Sequence, residues 1–125
     1  MKNITDLFVP YALALKLKKK GFKEPCLGWF PNSDTKKVEF TPNVLWVHSE
    51  GGSNIPAPIF EQVFDWLDKT HKIRISLGTA KTSGKYRFDI LQFTEDKWQG
   101  DYNLTSFYDS RDRNIKAIET ALQLI

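Results

Sequence analysis

The segment over residues 78–85 is the stretch of this sequence that most resembles a catalytic motif. It reads Gly-Thr-Ala-Lys-Thr-Ser-Gly-Lys, much like the glycine-rich loop that holds nucleotide phosphates. That loop has four residues between its glycines, a Ser or Thr after its lysine, and a helix whose N-terminal amides bind phosphate. Here five residues separate the glycines, Tyr86 follows the lysine, and a strand is predicted next. We interpret the segment as a hairpin turn whose Lys81 and Lys85 are able to contact anions nonspecifically.

One cysteine and two histidines are present, and their spacing is not typical of a metal or catalytic site. A zinc site takes four protein ligands, or three and a water, and neither histidine has a second histidine one helical turn away. His71 is expected to end a helix, whereas His48 borders a glycine-containing loop and is the better functional candidate. Cys26 lies in an apolar stretch typical of a buried thiol, and a lone cysteine indicates a reducing compartment. The sequence therefore predicts no catalytic residue, no metal and no cofactor.

Lysines at the end of the first predicted helix form the densest cluster of positive charge. Such a cluster is ordinarily a solvated helix end, and the alternative is contact with nucleic acid or an acidic partner. Aromatic residues make up 14% of the chain, and exposed rings can stack on bases or pack against a protein. The candidate binding residues are Lys16, Lys19, Lys20, Lys23, Trp46, His48, Lys81, Lys85 and Trp98.

Three amphipathic helices are predicted from apolar residues at helical spacing. The helices are predicted over residues 10–20, 58–71 and 111–125. Pro10 suits the first turn of a helix, and Gly21 suits the left-handed residue that follows one. Asp109 or Ser110 is expected to cap the third helix, whose apolar stripe continues to Ile125.

Alternating apolar and polar residues, together with turn-forming residues between them, predict the strands. The predicted strands cover residues 26–30, 38–40, 44–48, 73–77, 86–90 and a segment within 102–107. The predicted turns and loops cover residues 31–34, 49–54, 82–84 and 99–101. The loop around residues 41–57 is the most irregular part of the chain, and such loops often carry function.

These elements occur in the order α-β-β-(β)-α-β-β-β-α, and the short connections favour antiparallel pairing. We predict a single α+β domain over residues 1–125, with a mostly antiparallel sheet of about five to six strands and three amphipathic helices. The apolar run over residues 7–17 is too short to span a bilayer, and lysines follow it instead of preceding it as in a signal peptide. We therefore expect a cytoplasmic protein without a membrane partner.

Taken together, the helices and their flanking residues resemble a group of small uncharacterised proteins encoded by Bacteroidetes phages and prophages. The matching residues are Val9-Pro10-Tyr11, Ala14, Leu17, Lys18-Lys19-Lys20-Gly21-Phe22 and Glu24-Pro25-Cys26 near the start, Ala57-Pro58, Gln62-Val63-Phe64-Asp65-Trp66-Leu67 and Lys69-Thr70-His71 in the middle, and Ala117, Ala121-Leu122 and Leu124-Ile125 at the end. The resemblance implies a mobile-element origin and a bacterial host cytoplasm. It implies no activity, cofactor or catalytic residue.

The function we expect is that of a non-enzymatic interaction domain. Its partner would be an unidentified host or phage protein, or a second copy of the chain in a homodimer. The alternative is a nucleic-acid-binding accessory protein that uses the first-helix lysines and exposed aromatic residues. A net charge of +3 is small for a polyanion partner, so this alternative is the less favoured of the two.

Overall fold

A computed structural model describes residues 3–31, 37–40, 55–79, 84–94, 96–102 and 107–125. Within these residues the chain forms three α-helices and six strands, and all strand pairing is antiparallel. The predicted α+β class is confirmed, although the strands lie in two three-stranded sheets and not in one. The chain divides into two compact units, residues 1–62 and 63–125. The expectation of a single domain stays a prediction.

Helix α1 (Tyr11–Lys19) confirms the first predicted helix and its glycine stop. Gly21 has a φ of 94°, a value that side-chain-bearing residues rarely adopt. The amide of Phe22 donates to the carbonyl of Leu17 at 3.0 Å, and the amide of Gly21 donates to the carbonyl of Lys18 at 3.2 Å. These two bonds define a Schellman motif, in which Leu17 and Phe22 are both buried.

The first sheet belongs to residues 1–62 and has the order β2-β1-β3. Its strands are β1 (Gly28–Phe30), β2 (Glu39–Phe40) and β3 (Ile55–Ala57). Gly28 allows the Phe8 ring to pack on the central strand, because an added Cβ would lie 2.6 Å from that ring. Pro56 lacks an N–H donor, and it is tolerated because β3 is an edge strand of this sheet. The strand predicted at residues 44–48 and the loop at 49–54 lie outside the described residues. The irregular loop predicted around residues 41–57 is wrong at its end, because residues 55–57 form β3.

Helix α2 (Phe60–His71) contains the boundary between the two units and has the strongest amphipathic pattern of the sequence. Val63 and Leu67 are completely buried, whereas Glu61 and Asp65 are exposed. The predicted separation of apolar and polar residues on this helix is therefore confirmed.

The second sheet belongs to residues 63–125 and has the order β4-β5-β6. Its strands are β4 (Ile73–Thr79), β5 (Tyr86–Thr94) and β6 (Lys97–Tyr102). The strands of the first sheet all precede α2 in the chain, and the strands of the second sheet all follow it. The second sheet pairs consecutive strands, whereas in the first sheet β1 also pairs with β3, which is distant in sequence.

The predicted turn at residues 99–101 is wrong, because these residues lie inside β6. The turn falls earlier, between Thr94 and Lys97, which pair directly. Asp96 in this turn has a φ of 63°, which aspartate tolerates better than most residues. Gly100 pairs with Leu91, and an added Cβ would collide with the Leu91 side chain. The glycine that we assigned to a turn is required instead for close packing across two strands.

The last predicted strand, within residues 102–107, is described at its two ends. Tyr102 is the final residue of β6, and Phe107 forms an isolated bridge with Tyr86. The amides of Phe107 and Tyr86 each donate to the other residue's carbonyl at 2.8 Å. Residues 103–106 lie outside the described part of the chain.

Helix α3 (Ser110–Leu122) packs against β4 and β5. Asp109 caps it as predicted, since its carboxylate accepts hydrogen bonds from the amides of Arg111 at 2.6 Å and Asp112 at 3.3 Å. Its apolar stripe is buried at Ala117, Ile118, Ala121 and Leu122. The expected continuation of the stripe to the last residue is wrong, because the helix ends before Ile125 and that side chain is exposed.

Candidate interaction surface

The four candidate lysines at the end of α1 lie in the unit formed by residues 1–62. Lys16 and Lys19 belong to α1, Lys20 follows it, and Lys23 lies just beyond the Schellman motif. All four side chains are exposed. Positive charge at this end of a helix interacts favourably with the helix dipole, so the cluster has a structural reason that requires no ligand.

Of the remaining candidates, Trp46, His48 and Lys81 lie outside the described residues, and their roles stay predictions. Lys85 and Trp98 are described, and both belong to the unit that contains the second sheet. This sheet brings them together with residues that the sequence analysis did not select.

The second sheet has two faces of opposite character, because side chains alternate along each strand. The inner face is defined by Ile73, Ile75, Leu77, Tyr86, Phe88 and Ile90. The outer face is defined by Arg74, Arg87, Leu91, Phe93 and Trp98. The cross-strand register places the members of each set on one side of the sheet. Phe88 of the inner face is 1% exposed and Phe93 of the outer face is 41% exposed.

Helix α3 covers the inner face through one buried arginine as well as through its apolar stripe. Arg113 is 9% exposed, and its guanidinium lies 5.0 Å from the centre of the Tyr86 ring. It donates to the carbonyl of Gly78 at 3.3 Å and to Oδ1 of Asn114 at 3.1 Å. Burial lowers the pKa of Arg113 from its usual value. Arg113 is not predictable from the sequence pattern, because an arginine in a helix is normally expected to face solvent.

The outer face centres on the indole ring of Trp98. The guanidinium of Arg74 lies 4.2 Å from the centre of that ring, and the ring of Phe93 lies 5.4 Å from it. Asp68 fixes Arg74 from the other side, accepting hydrogen bonds from Nε at 3.0 Å and from Nη2 at 3.4 Å. Leu91 extends the apolar area next to Gly100. The result is an aromatic and aliphatic patch, exposed at Phe93 and half-buried at Leu91 and Trp98, with an arginine beside the indole.

Lys85 continues the outer face beyond the start of β5. By strand alternation it lies on the same side of the sheet as Arg87. Its ammonium lies 4.4 Å from the centre of the Tyr108 ring, and Tyr108 is 83% exposed. A hydrogen bond from Lys85, helped by its positive charge, lowers the pKa of the Tyr108 phenol. A second cation–aromatic pair therefore lies at this end of the sheet.

The sequence contains a signal for this surface that we did not use. Tyr86, Phe88 and Ile90 follow the even register of β5, and these residues face inward. Leu91 and Phe93 are apolar residues in the odd register, where a half-buried strand normally carries polar residues. Apolar residues in both registers predict a strand whose solvent-facing side also makes contacts.

Cys26 and His71 each make contacts that give them a structural role. Cys26 is completely buried, and burial, followed by the charge of Glu24, raises the pKa of its thiol to about 12. Such a thiol stays protonated at neutral pH and is a poor nucleophile. His71 ends α2 as predicted, and its ring lies 4.7 Å from the Trp66 ring in an edge-on arrangement. Among the described residues, no group of three or more His, Cys, Asp or Glu side chains is placed to hold a metal ion.

Comparisons with protein-family models, with curated proteins and with solved structures yield no significant match to this chain. None of the helices in the described residues has both the length and the apolar character needed to cross a bilayer. The geometry of the outer face is therefore the basis for proposing a function.

Proposed function

We propose that this chain is a non-enzymatic protein-interaction domain whose partner binds the outer face of the second sheet. The observation that supports the proposal is the pair formed by exposed Phe93 and half-buried Trp98, with the guanidinium of Arg74 over the indole. Trp, Tyr and Arg carry most of the binding energy at protein interfaces. Aromatic residues and arginine are also enriched there relative to the rest of a protein surface.

Contacts within the outer face restrict its central side chains before a partner binds. Arg74 donates a hydrogen bond to Asp68, and its guanidinium lies over the Trp98 ring. Trp98 is in contact with Phe93, and both lie on paired strands. Since side chains that are ordered before binding lose less freedom in the complex, this surface favours a partner with a matching apolar centre and polar rim.

Nucleic acid is the second candidate partner, supported by the cations beside the aromatic rings. Lys85 and Arg87 add positive charge along the same face, and aromatic rings offer stacking surfaces for bases. However, Arg74 already pairs with Asp68, and Asp89 lies in the same register as Arg87. The low net charge that results on this face favours a protein over a polyanion.

The resemblance to phage-encoded proteins supports a biological setting for this activity. We propose that the chain acts as an accessory factor in the cytoplasm of a Bacteroidetes host, where it binds a host or phage protein. An accessory factor of this kind needs one preformed surface and no catalytic residues.

The experiment is affinity capture of partners from host lysate with three immobilised proteins. These are the wild-type chain, the Trp98→Ala variant, and a Leu124→Ala variant that alters an exposed apolar residue outside the outer face. A partner of the outer face should be retained by the wild type and the Leu124 variant. For the purified partner, loss of an interface tryptophan should weaken binding by about 30-fold or more, corresponding to about 2 kcal/mol.

Two results would contradict the proposal. If Trp98→Ala retains the same partners with unchanged affinity, the outer face does not bind them. If the wild type instead binds a single-stranded oligonucleotide, with affinity that falls steeply as salt increases and is lost in Trp98→Ala, nucleic acid is the partner. Circular dichroism on each variant confirms that it is folded.

A further inference from the structure

The outer edge of β4 presents a regular row of backbone hydrogen-bonding groups. The amide of Phe93 donates to the carbonyl of Lys72 at 3.0 Å, which fixes the alternation of the β4–β5 ladder. Residues 74, 76 and 78 therefore direct their N–H and C=O groups toward β5, and the residues between them direct theirs outward. The outward residues of β4 are Ile73, Ile75, Leu77 and Thr79. Among the described residues, no strand pairs with this edge.

This edge lacks the features by which proteins usually prevent strand pairing, namely proline, lysine, an inward-pointing charge or a bulge. β3, an edge strand of the first sheet, contains Pro56. β4 contains neither proline nor lysine, and its register with β5 is continuous from Ile73 to Thr79. Its one charged residue, Arg74, points to the outer face and is held by Asp68. β4 is therefore a long, regular edge that can accept another strand.

We propose that β4 pairs antiparallel with β4 of a second copy of this chain, which joins two second sheets into one continuous six-stranded sheet. The two-fold axis passes through the paired Ser76 residues. This register is the one that pairs all the outward residues, with Ile75 opposite Leu77 of the copy and Ile73 opposite Thr79. The inference concerns a different surface from the proposed function and does not depend on it.

The strand is complementary to itself in this register. Arg74 lies opposite Gly78 of the copy and Ser76 lies opposite Ser76, so no like charges face each other. Leu77 is 40% exposed, and pairing with Ile75 of the copy removes apolar surface from water. Because the pairing is isologous, it closes as a dimer and does not propagate into a filament.

Pairing of single edge strands buries less surface than the roughly 1,600 Å² of a standard protein interface. We therefore expect a dimer with a dissociation constant in the range of roughly 1 to 100 μM. Sedimentation velocity over roughly 1 μM to 1 mM protein measures the monomer–dimer equilibrium across this range.

Leu77→Lys is the variant that tests the edge, because lysine on an edge strand opposes pairing. The matched control is Phe93→Lys, which places the same charge at a residue with nearly the same exposure, 41% against 40%, on the central strand. We expect Leu77→Lys to weaken dimerisation by at least about tenfold and Phe93→Lys to leave it unchanged. Capture of a partner through the outer face should be weakened by Phe93→Lys and unaffected by Leu77→Lys. The dimer and the proposed function can therefore be contradicted independently of each other.

Amide hydrogen exchange in the wild-type protein tests the same register without a substitution. The amides of Ile75 and Leu77 should exchange rapidly in dilute monomer and slowly in the concentrated dimer. A protein that stays monomeric up to about 1 mM, a dimer that persists in Leu77→Lys, or a dimer in which these two amides stay unprotected would each overturn the proposal.

Discussion

The two faces of the second sheet share the same strands and the same backbone hydrogen bonds, yet they differ in almost every other respect. Phe88 and Phe93 lie on the same strand, yet Phe88 is buried in contact with the α3 side of the sheet whereas Phe93 is 41% exposed. A helix with an ordinary apolar stripe covers the inner face at β5 and leaves Leu77 of β4 40% exposed. The outer face holds its aromatic residues beside cations and leaves them accessible. The comparison indicates that the inner face stabilises the fold and that the outer face is available for binding.

Removing one ring from each face gives the largest expected contrast. Phe88→Ala should lower the free energy of unfolding by about 3–5 kcal/mol, because it leaves a cavity beneath α3. Phe93→Ala should lower it by less than about 1 kcal/mol, because that ring is already partly in water. Urea unfolding followed by circular dichroism measures both values, and equal losses would remove the distinction between the two faces.

Substitution of Gly100 tests how tightly the aliphatic part of the outer face, around Leu91, is packed. Gly100→Ala should lower the free energy of unfolding by about 1–3 kcal/mol, because its Cβ meets the Leu91 side chain and lies 3.2 Å from the carbonyl oxygen of Ile90. In a Leu91→Ala background the same substitution should cost less, since one of the obstructing groups is gone. A double-mutant cycle in urea measures this coupling; strictly additive losses would show that the two residues do not interfere.

Substitution of the capping residue Asp109 tests how strongly the stability of α3, the helix on the inner face, depends on a single side chain. Asp109→Ala should lower the free energy of unfolding by about 1 kcal/mol, because the amides of Arg111 and Asp112 lose their acceptor. Asp109→Asn is the matched control, since asparagine caps helices nearly as well. Thermal unfolding of the three proteins should place the asparagine variant near the wild type.

The smallest expected effect concerns the ionisation of Tyr108 at the end of the outer face. Lys85 stabilises the phenolate, so the phenol loses its proton at lower pH than an ordinary tyrosine. Lys85→Met should therefore raise the pKa of Tyr108. An ultraviolet titration of the wild type and this variant, with Tyr108→Phe to identify the signal, measures the change. An unaltered titration curve would mean that Lys85 does not contact this ring in solution.

Much of the fold follows from local pattern. The helical spacing of apolar residues predicts α2, and Gly21 and Asp109 mark where α1 ends and α3 begins. Each of these features depends on residues within a few positions of one another, which is why they can be identified in a single sequence. Alternation likewise predicts which residues of β4 and β5 form the inner face.

The candidate site was predicted far less completely. Of the binding residues that we selected, Trp98 and Lys85 lie at the surface from which the function is proposed. Their neighbours Arg74, Phe93 and Tyr108 come from other parts of the chain. The odd-register pattern of β5 marks Phe93, whereas Arg74 and Tyr108 come near the others only through strand pairing.

The sequence by itself therefore determined the α+β class, the three helices and the buried side of β4 and β5, since these depend on local hydrophobic period. Tertiary structure decided how six strands divide into two sheets, why β6 needs Gly100, and which cations lie over which rings. Register and strand order join residues that are distant in the chain. A one-residue shift in that register would place every outer-face side chain beside different neighbours.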